Sequence, residues 1–155
     1  MNQRMTGRIL ALVLALCLLG ACGKRGAALP PPEALAEELL AAAKGPEMSA
    51  MPPAYLQEVT GISPEDYESA VYLLPSGDTA PDELILIRCR DRAAADKVRE
   101  KLEARLAAKA EAAEYYLTEQ QPVIRAGAVR TDGFTVSLLV SGDMAALQAV
   151  YDKYR

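Results

Sequence analysis

Two stretches of this chain share one pattern at a spacing of 52 residues, and that spacing constrains the fold more than any other feature. Val71 aligns with Val123, Leu86 with Leu138, Asp91 with Asp143, Ala93 and Ala94 with Ala145 and Ala146, Val98 with Val150, and Lys101 with Lys153. A pattern recurring at such a distance marks one supersecondary unit used twice. Each copy reads strand, turn, strand, helix. In the first, the strands run over about 67–74 and 83–90, separated by the turn-rich Pro75-Ser76-Gly77-Asp78-Thr79-Ala80-Pro81. In the second they run over about 122–129 and 134–140, joined through Thr131-Asp132-Gly133, where Asp-Gly is a strong hairpin signal.

Asp91 and Asp143 each stand where a strand stops and helical spacing begins, which suits a helix cap accepting orphan backbone N–H groups. A catalytic aspartate pair is the sharper reading of the same two residues, but capping accounts for both without further assumption. After Asp91 a long helix is expected to about Tyr116, its stripe of Ala94, Val98, Leu102, Leu106, Ala110 and Ala113 packing on the sheet. Ahead of the repeat, 32–44 reads as a first helix with proline near its start and Gly45-Pro46 as its stop, and 53–60 as a second, shorter one. Ser63-Pro64-Glu65-Asp66 resembles a capped turn. The predicted fold class is therefore α+β: two ββα units forming a four-stranded, mainly antiparallel sheet packed with helices, preceded by a short N-terminal helical pair. One question stays open. In the second strand Leu84 and Leu86 point one way and Ile85, Ile87 and Cys89 the other, so both faces are apolar. Either the N-terminal helices cover the second face, or a groove is left for a partner.

The start of the chain carries an address. Arg4 and Arg8 precede an apolar run over 9–19, the n-region and h-region of a secretory signal. The run is too short for a spanning helix, which needs roughly 20 apolar residues. Leu19-Gly20-Ala21-Cys22 reads as a lipobox, in which small residues admit the peptidase and the thiol takes a diacylglycerol. Two fatty chains, palmitate-like in kind, hold where a single one is marginal. The expected organisation is a signal peptide over 1–21, lipidated Cys22 with a flexible Pro-rich tether over 22–32, and one extracytoplasmic domain over 33–155. The tether lifts that domain on the order of 20–30 Å from the membrane, and Lys24 and Arg25 beside the lipid either gain about 1 kcal/mol each at an anionic surface or serve solubility alone.

Charge and cysteine usage exclude several classes. Removing Arg4 and Arg8 from the 17 basic residues leaves 15 against 21 acidic ones, a formal charge of −6 for the mature part. No basic stripe is present, which argues against nucleic acid as a partner. Of the three cysteines, Cys17 leaves with the leader and Cys22 carries lipid, so only Cys89 remains, expected as a partly buried apolar residue. Histidine is absent, which removes Ser-His and Cys-His pairs and histidine-ligated metal sites.

Other constellations have plainer readings. Glu111, Glu114 and Glu119 beside Tyr115 and Tyr116 have the spacing of a solvated helix face, and the basic residues of the same helix read as surface solubility. Ser76-Gly77-Asp78 and Ser141-Gly142-Asp143 lack the glycine spacing and the lysine of a phosphate loop. Asp82-Glu83, just before the second strand, is ambiguous between a carboxylate site and the acidity common in turns. No catalytic, cofactor or metal residue is assigned, and lipidation at Cys22 is the one site.

From Leu35 to Tyr154, the turn Pro64-Glu65-Asp66, the strand ending Leu73-Leu74-Pro75-Ser76-Gly77, the segment Ala80-Pro81-Asp82-Glu83-Leu84-Ile85, the long charged helix and the Gly133 hairpin resemble a family of small lipoproteins of Gram-positive anaerobes. That family is catalogued only as a domain of unknown function (domain of unknown function 4358). The resemblance implies a membrane-tethered extracytoplasmic domain, places the family's acidic position at Glu83, and supplies no activity. The functional expectation is a non-enzymatic binding or scaffolding module of the cell envelope, held by lipid on Cys22 at the outer face of the cell membrane and meeting an envelope protein partner. The alternative is a small-solute-binding lipoprotein of an uptake system. An enzyme would need close carboxylates lining one cleft.

Overall fold

In the computed structural model, the residues described are 28–77, 80–116 and 118–155. The expected leader and Cys22 lie outside them. The elements in chain order are α1 (Pro32–Ala42), β1 (Met48–Ala50), α2 (Pro53–Thr60), a 3-10 turn (Pro64–Asp66), β2 (Tyr67–Pro75), β3 (Glu83–Cys89), α3 (Arg92–Tyr116), α4 (Gln121–Arg125), β4 (Ala128–Asp132), β5 (Thr135–Val140) and α5 (Met144–Asp152).

The alternation of β3 sets the layering, since successive side chains point to opposite faces. Ile85, Ile87 and Cys89 join a core with Val98 and Leu102 of α3, Leu56 of α2 and Ile124 of α4. Leu84 and Leu86 join a second core with Leu35 and Leu39 of α1 and Leu147, Val150 and Tyr151 of α5. The question left open by the sequence is thus answered by coverage: helices lie on both faces, and of the N-terminal pair α1 takes one face and α2 the other. The stripe Ala94, Val98, Leu102, Leu106, Ala110 and Ala113 of α3 packs as expected.

The class is α+β as predicted, but the sheet has five strands in the order β1-β2-β3-β5-β4, all neighbours antiparallel. The additional strand, β1, pairs Met48 with Pro75 and Ala50 with Leu73. Three residues are too few to display an alternation, so the local sequence carried no signal for it, and a strand so short suits the sheet edge it occupies.

The repeat survives in its second half only. Leu86 and Leu138 sit in β3 and β5, and Asp91 and Asp143 both cap, with Ala94 N–H donating to Asp91 Oδ1 at 2.8 Å and Ala146 N–H to Asp143 Oδ1 at 3.3 Å. The leading strand expected over 122–129 is instead α4, with Pro122 in its first turn, followed by β4. The cause is loop length. Residues 76–82 link β2 to β3, whereas only Gly133 and Phe134 link β4 to β5, since Asp132 already pairs with Thr135. Gly133 has φ +62° and Phe134 a negative φ, the pattern of a type II′ turn with glycine first rather than the type I′ turn that Asp-Gly suggests.

Candidate functional site

The alternation that buries Ile85 and Ile87 against α3 also buries Glu83, two residues earlier on the same face. Glu83 is fully buried. Three donors reach it: Tyr72 Oη from β2 at 2.9 Å to Oε1, Arg105 Nε from α3 at 3.0 Å to Oε1, and Lys109 Nζ from α3 at 2.8 Å to Oε2. Arg105 and Lys109 are one helical turn apart, so one helix face presents both cations to one carboxylate. Tyr55 of α2 stacks on Tyr72, ring centroids 5.8 Å apart. Burial pushes the Glu83 carboxyl up, but Lys109 and then Arg105 outweigh it, and the net effect holds the group below its ordinary value of 4.5. Burial, with the Glu83 charge beside it, pushes the Tyr72 phenol up.

This cluster was not legible as a site. Arg105 and Lys109, expected as part of a solvated charged surface, instead bind a buried carboxylate, and Glu83 is no turn residue. The signal was present in the register: glutamate at the head of a strand, in phase with Ile85 and Ile87, opposite basic residues flanking Leu106.

Cys89 is buried, and burial together with Asp66 and Asp91 pushes its thiol up to about 11. Asp91 and Asp143 are not brought together, because α3 and α5 lie on opposite faces of the sheet. Glu111 and Glu119 are exposed, and Glu114 pairs with Arg125 at 2.9 Å. Ser76 and Ser141 part company: Ser76 Oγ lies 2.7 Å from Ser49 Oγ beyond the sheet edge, while Ser141 Oγ accepts from Asp143 N–H at 3.1 Å at the head of α5. Asp78 lies outside the described residues.

The two ends of β3 differ in character. At the Arg88 end, the Arg88 guanidinium donates through Nη2 to the carbonyls of Leu29 at 3.0 Å and Pro30 at 3.4 Å, and Leu29 packs against the core shared by α1 and α5. The last residues of the expected tether are thus fastened to the domain beside the Gly133 turn. At the Glu83 end lies a hollow of about 290 Å³. Leu39 and Leu40 of α1, Leu147 of α5, and Leu84 and Val140 of the central strands form its walls, with Glu47, Asp82 and Ser141 as its charged or hydroxyl-bearing lining. Asp82 faces the hollow because it directly precedes Glu83, so the two acids of one dipeptide serve different environments. Asp82 Oδ1 accepts from Gly142 N–H at 3.3 Å.

No helix among the described residues is long and apolar enough to cross a membrane. Residues 42–141 match the family model described as Domain of unknown function (DUF4358). The matched region contains the whole Glu83 cluster and the strand wall of the hollow. No curated protein and no solved structure matches the chain.

Proposed function

This chain belongs to the DUF4358 family, and from that premise we propose that it is a lipid-anchored, extracytoplasmic binding module of the cell envelope, without catalytic activity of its own. The observation that carries the reading is the polarity of β3. The chain enters the domain at the Arg88 end, and the hollow opens at the Glu83 end, about 17 Å away along the strand. With lipid on Cys22, residues 22–27 reach at most about 20 Å from the membrane even when extended. The Arg88 end then faces the lipid, and the hollow faces outward, where a partner or solute arrives.

The ionisable groups support binding over catalysis. Glu83 has its oxygens occupied by three donors, and Cys89 is buried with a raised pKa. A general acid or base has to reach substrate within hydrogen-bond distance. Asp82 and Glu47 do share one hollow, but its walls are apolar, as in a binding pocket. The size of the hollow favours a second reading within the same class, capture of a small solute for an uptake system, since about 290 Å³ accommodates a small molecule or one side chain.

Replacing the acylated sulfur tests the anchor. Cys22→Ser is expected to leave the chain uncleaved or to release it from the membrane fraction, with loss of incorporated labelled palmitate. Unchanged fractionation and an unmodified amino terminus in the parent chain would overturn the proposal.

A further inference from the structure

The hollow contains a charge that its own walls do not answer. Asp82 is 7% exposed. Its Oδ1 takes the Gly142 N–H, but among the described residues no donor reaches Oδ2 and no lysine or arginine forms an ion pair with it. Among the described residues no basic side chain lines the hollow, while a second carboxylate, Glu47, does. Ser141 is 6% exposed and accepts one N–H from Asp143, which leaves its own O–H and a further lone pair. Asp82 Oδ2 thus opens onto an apolar-walled hollow with no counter-charge beside it, and a cation entering the hollow would supply one. The cation would need an apolar body, since Leu40 stands 41% exposed at the rim and Leu39, Leu84 and Leu147 line the interior.

We propose that this hollow binds a small primary ammonium carried on an unbranched apolar stem, the ammonium on Asp82 Oδ2 and Ser141 Oγ and the stem along Leu40 and Leu147. Three ammonium hydrogens match the acceptors that Asp82, Ser141 and Glu47 provide. A guanidinium brings five donors in a rigid plane, and a quaternary ammonium brings none. The inference rests on the reading of the domain as a binding module and names the ligand class. That chemistry has two sources, a free alkylamine or the lysine side chain of a peptide.

The test uses the full mature chain in detergent, titrated at neutral pH with n-hexylamine, 1-hexanol, hexanoate and Nα-acetyl-lysine amide, read by calorimetry and thermal shift. Saturable binding of hexylammonium at least about tenfold tighter than 1-hexanol is expected, with no binding of hexanoate and a loss of about tenfold or more in Asp82→Asn. Acetyl-lysine amide binding as tightly as hexylammonium supports a peptide source, and weaker binding supports a free amine. Equal affinity for 1-hexanol, undiminished affinity in Asp82→Asn, or no saturable binding overturns the proposal. If Asp82→Asn does not fold, the charge series on the unaltered chain decides. Failure of the anchor in membrane fractionation leaves this binding result standing, so the two readings fail separately.

Discussion

Glu83→Gln removes one charge and keeps the shape of the side chain. In the native protein Glu83 is fully buried and takes bonds from Tyr72, Arg105 and Lys109 at 2.9, 3.0 and 2.8 Å. Breaking a buried ion pair from one side costs about 3–5 kcal/mol, because the surviving charge is left uncompensated. Here the survivors are two cations whose side chains keep 27% and 18% exposure, so both can turn partly toward water. That places the expected loss near the lower bound, about 3 kcal/mol, or about 10 °C in midpoint for a domain of this size. Urea denaturation followed by circular dichroism should show a lower midpoint with an unchanged slope. The pH dependence follows from the depressed carboxyl. Its stabilisation is present in full above the unfolded-state value near 4.5 and is lost as pH falls through the lower folded-state value. The difference between parent and variant should therefore be constant near neutrality and vanish in acid. A loss below about 1 kcal/mol at pH 7, or a difference that persists once the carboxyl is protonated, would refute the view of Glu83 as an ionised, fully paired group. Replacing the whole cluster by apolar side chains (Glu83→Leu, Tyr72→Phe, Arg105→Met, Lys109→Met) should cost far less than the single change, since no charge is then stranded.

Asp91→Ala should lower stability by about 0.5–2 kcal/mol through loss of the bond to Ala94 N–H at the head of α3, and an unshifted denaturation midpoint would count against that cap. At Gly127 an added Cβ would lie 2.9 Å from both Ile124 O and Val140 Cγ2, so Gly127→Ala is expected to destabilise by about 1–3 kcal/mol, whereas a neutral effect in thermal melts would show that the link between α4 and β4 can shift away from β5. With Cys22 replaced and the leader removed, Cys89 is the only thiol. At pH 8 a thiol of pKa about 11 is ionised on the order of one part in a thousand, so labelling by a disulfide reagent should follow unfolding, and rapid labelling of the native protein would contradict its burial.

The sequence by itself determined the parts whose signals are local. Period-two alternation in β3 assigned Leu84 and Leu86 to one face and Ile85 and Ile87 to the other. The stripe from Ala94 to Ala113 fixed the packing face of α3, and Asp91 and Asp143 announced their helices because a cap is decided within three residues. Tertiary structure decided what depends on distant partners. β1 exists only because β2 offers Met48–Ala50 an edge, and β4 begins late because a two-residue turn shortens the second hairpin. Which of the two neighbouring acids, Asp82 and Glu83, meets two cations and which faces a hollow without one could not be read from a dipeptide. A strand sends consecutive side chains to opposite faces, and what waits on each face is set by helices 22 residues or more away in the chain.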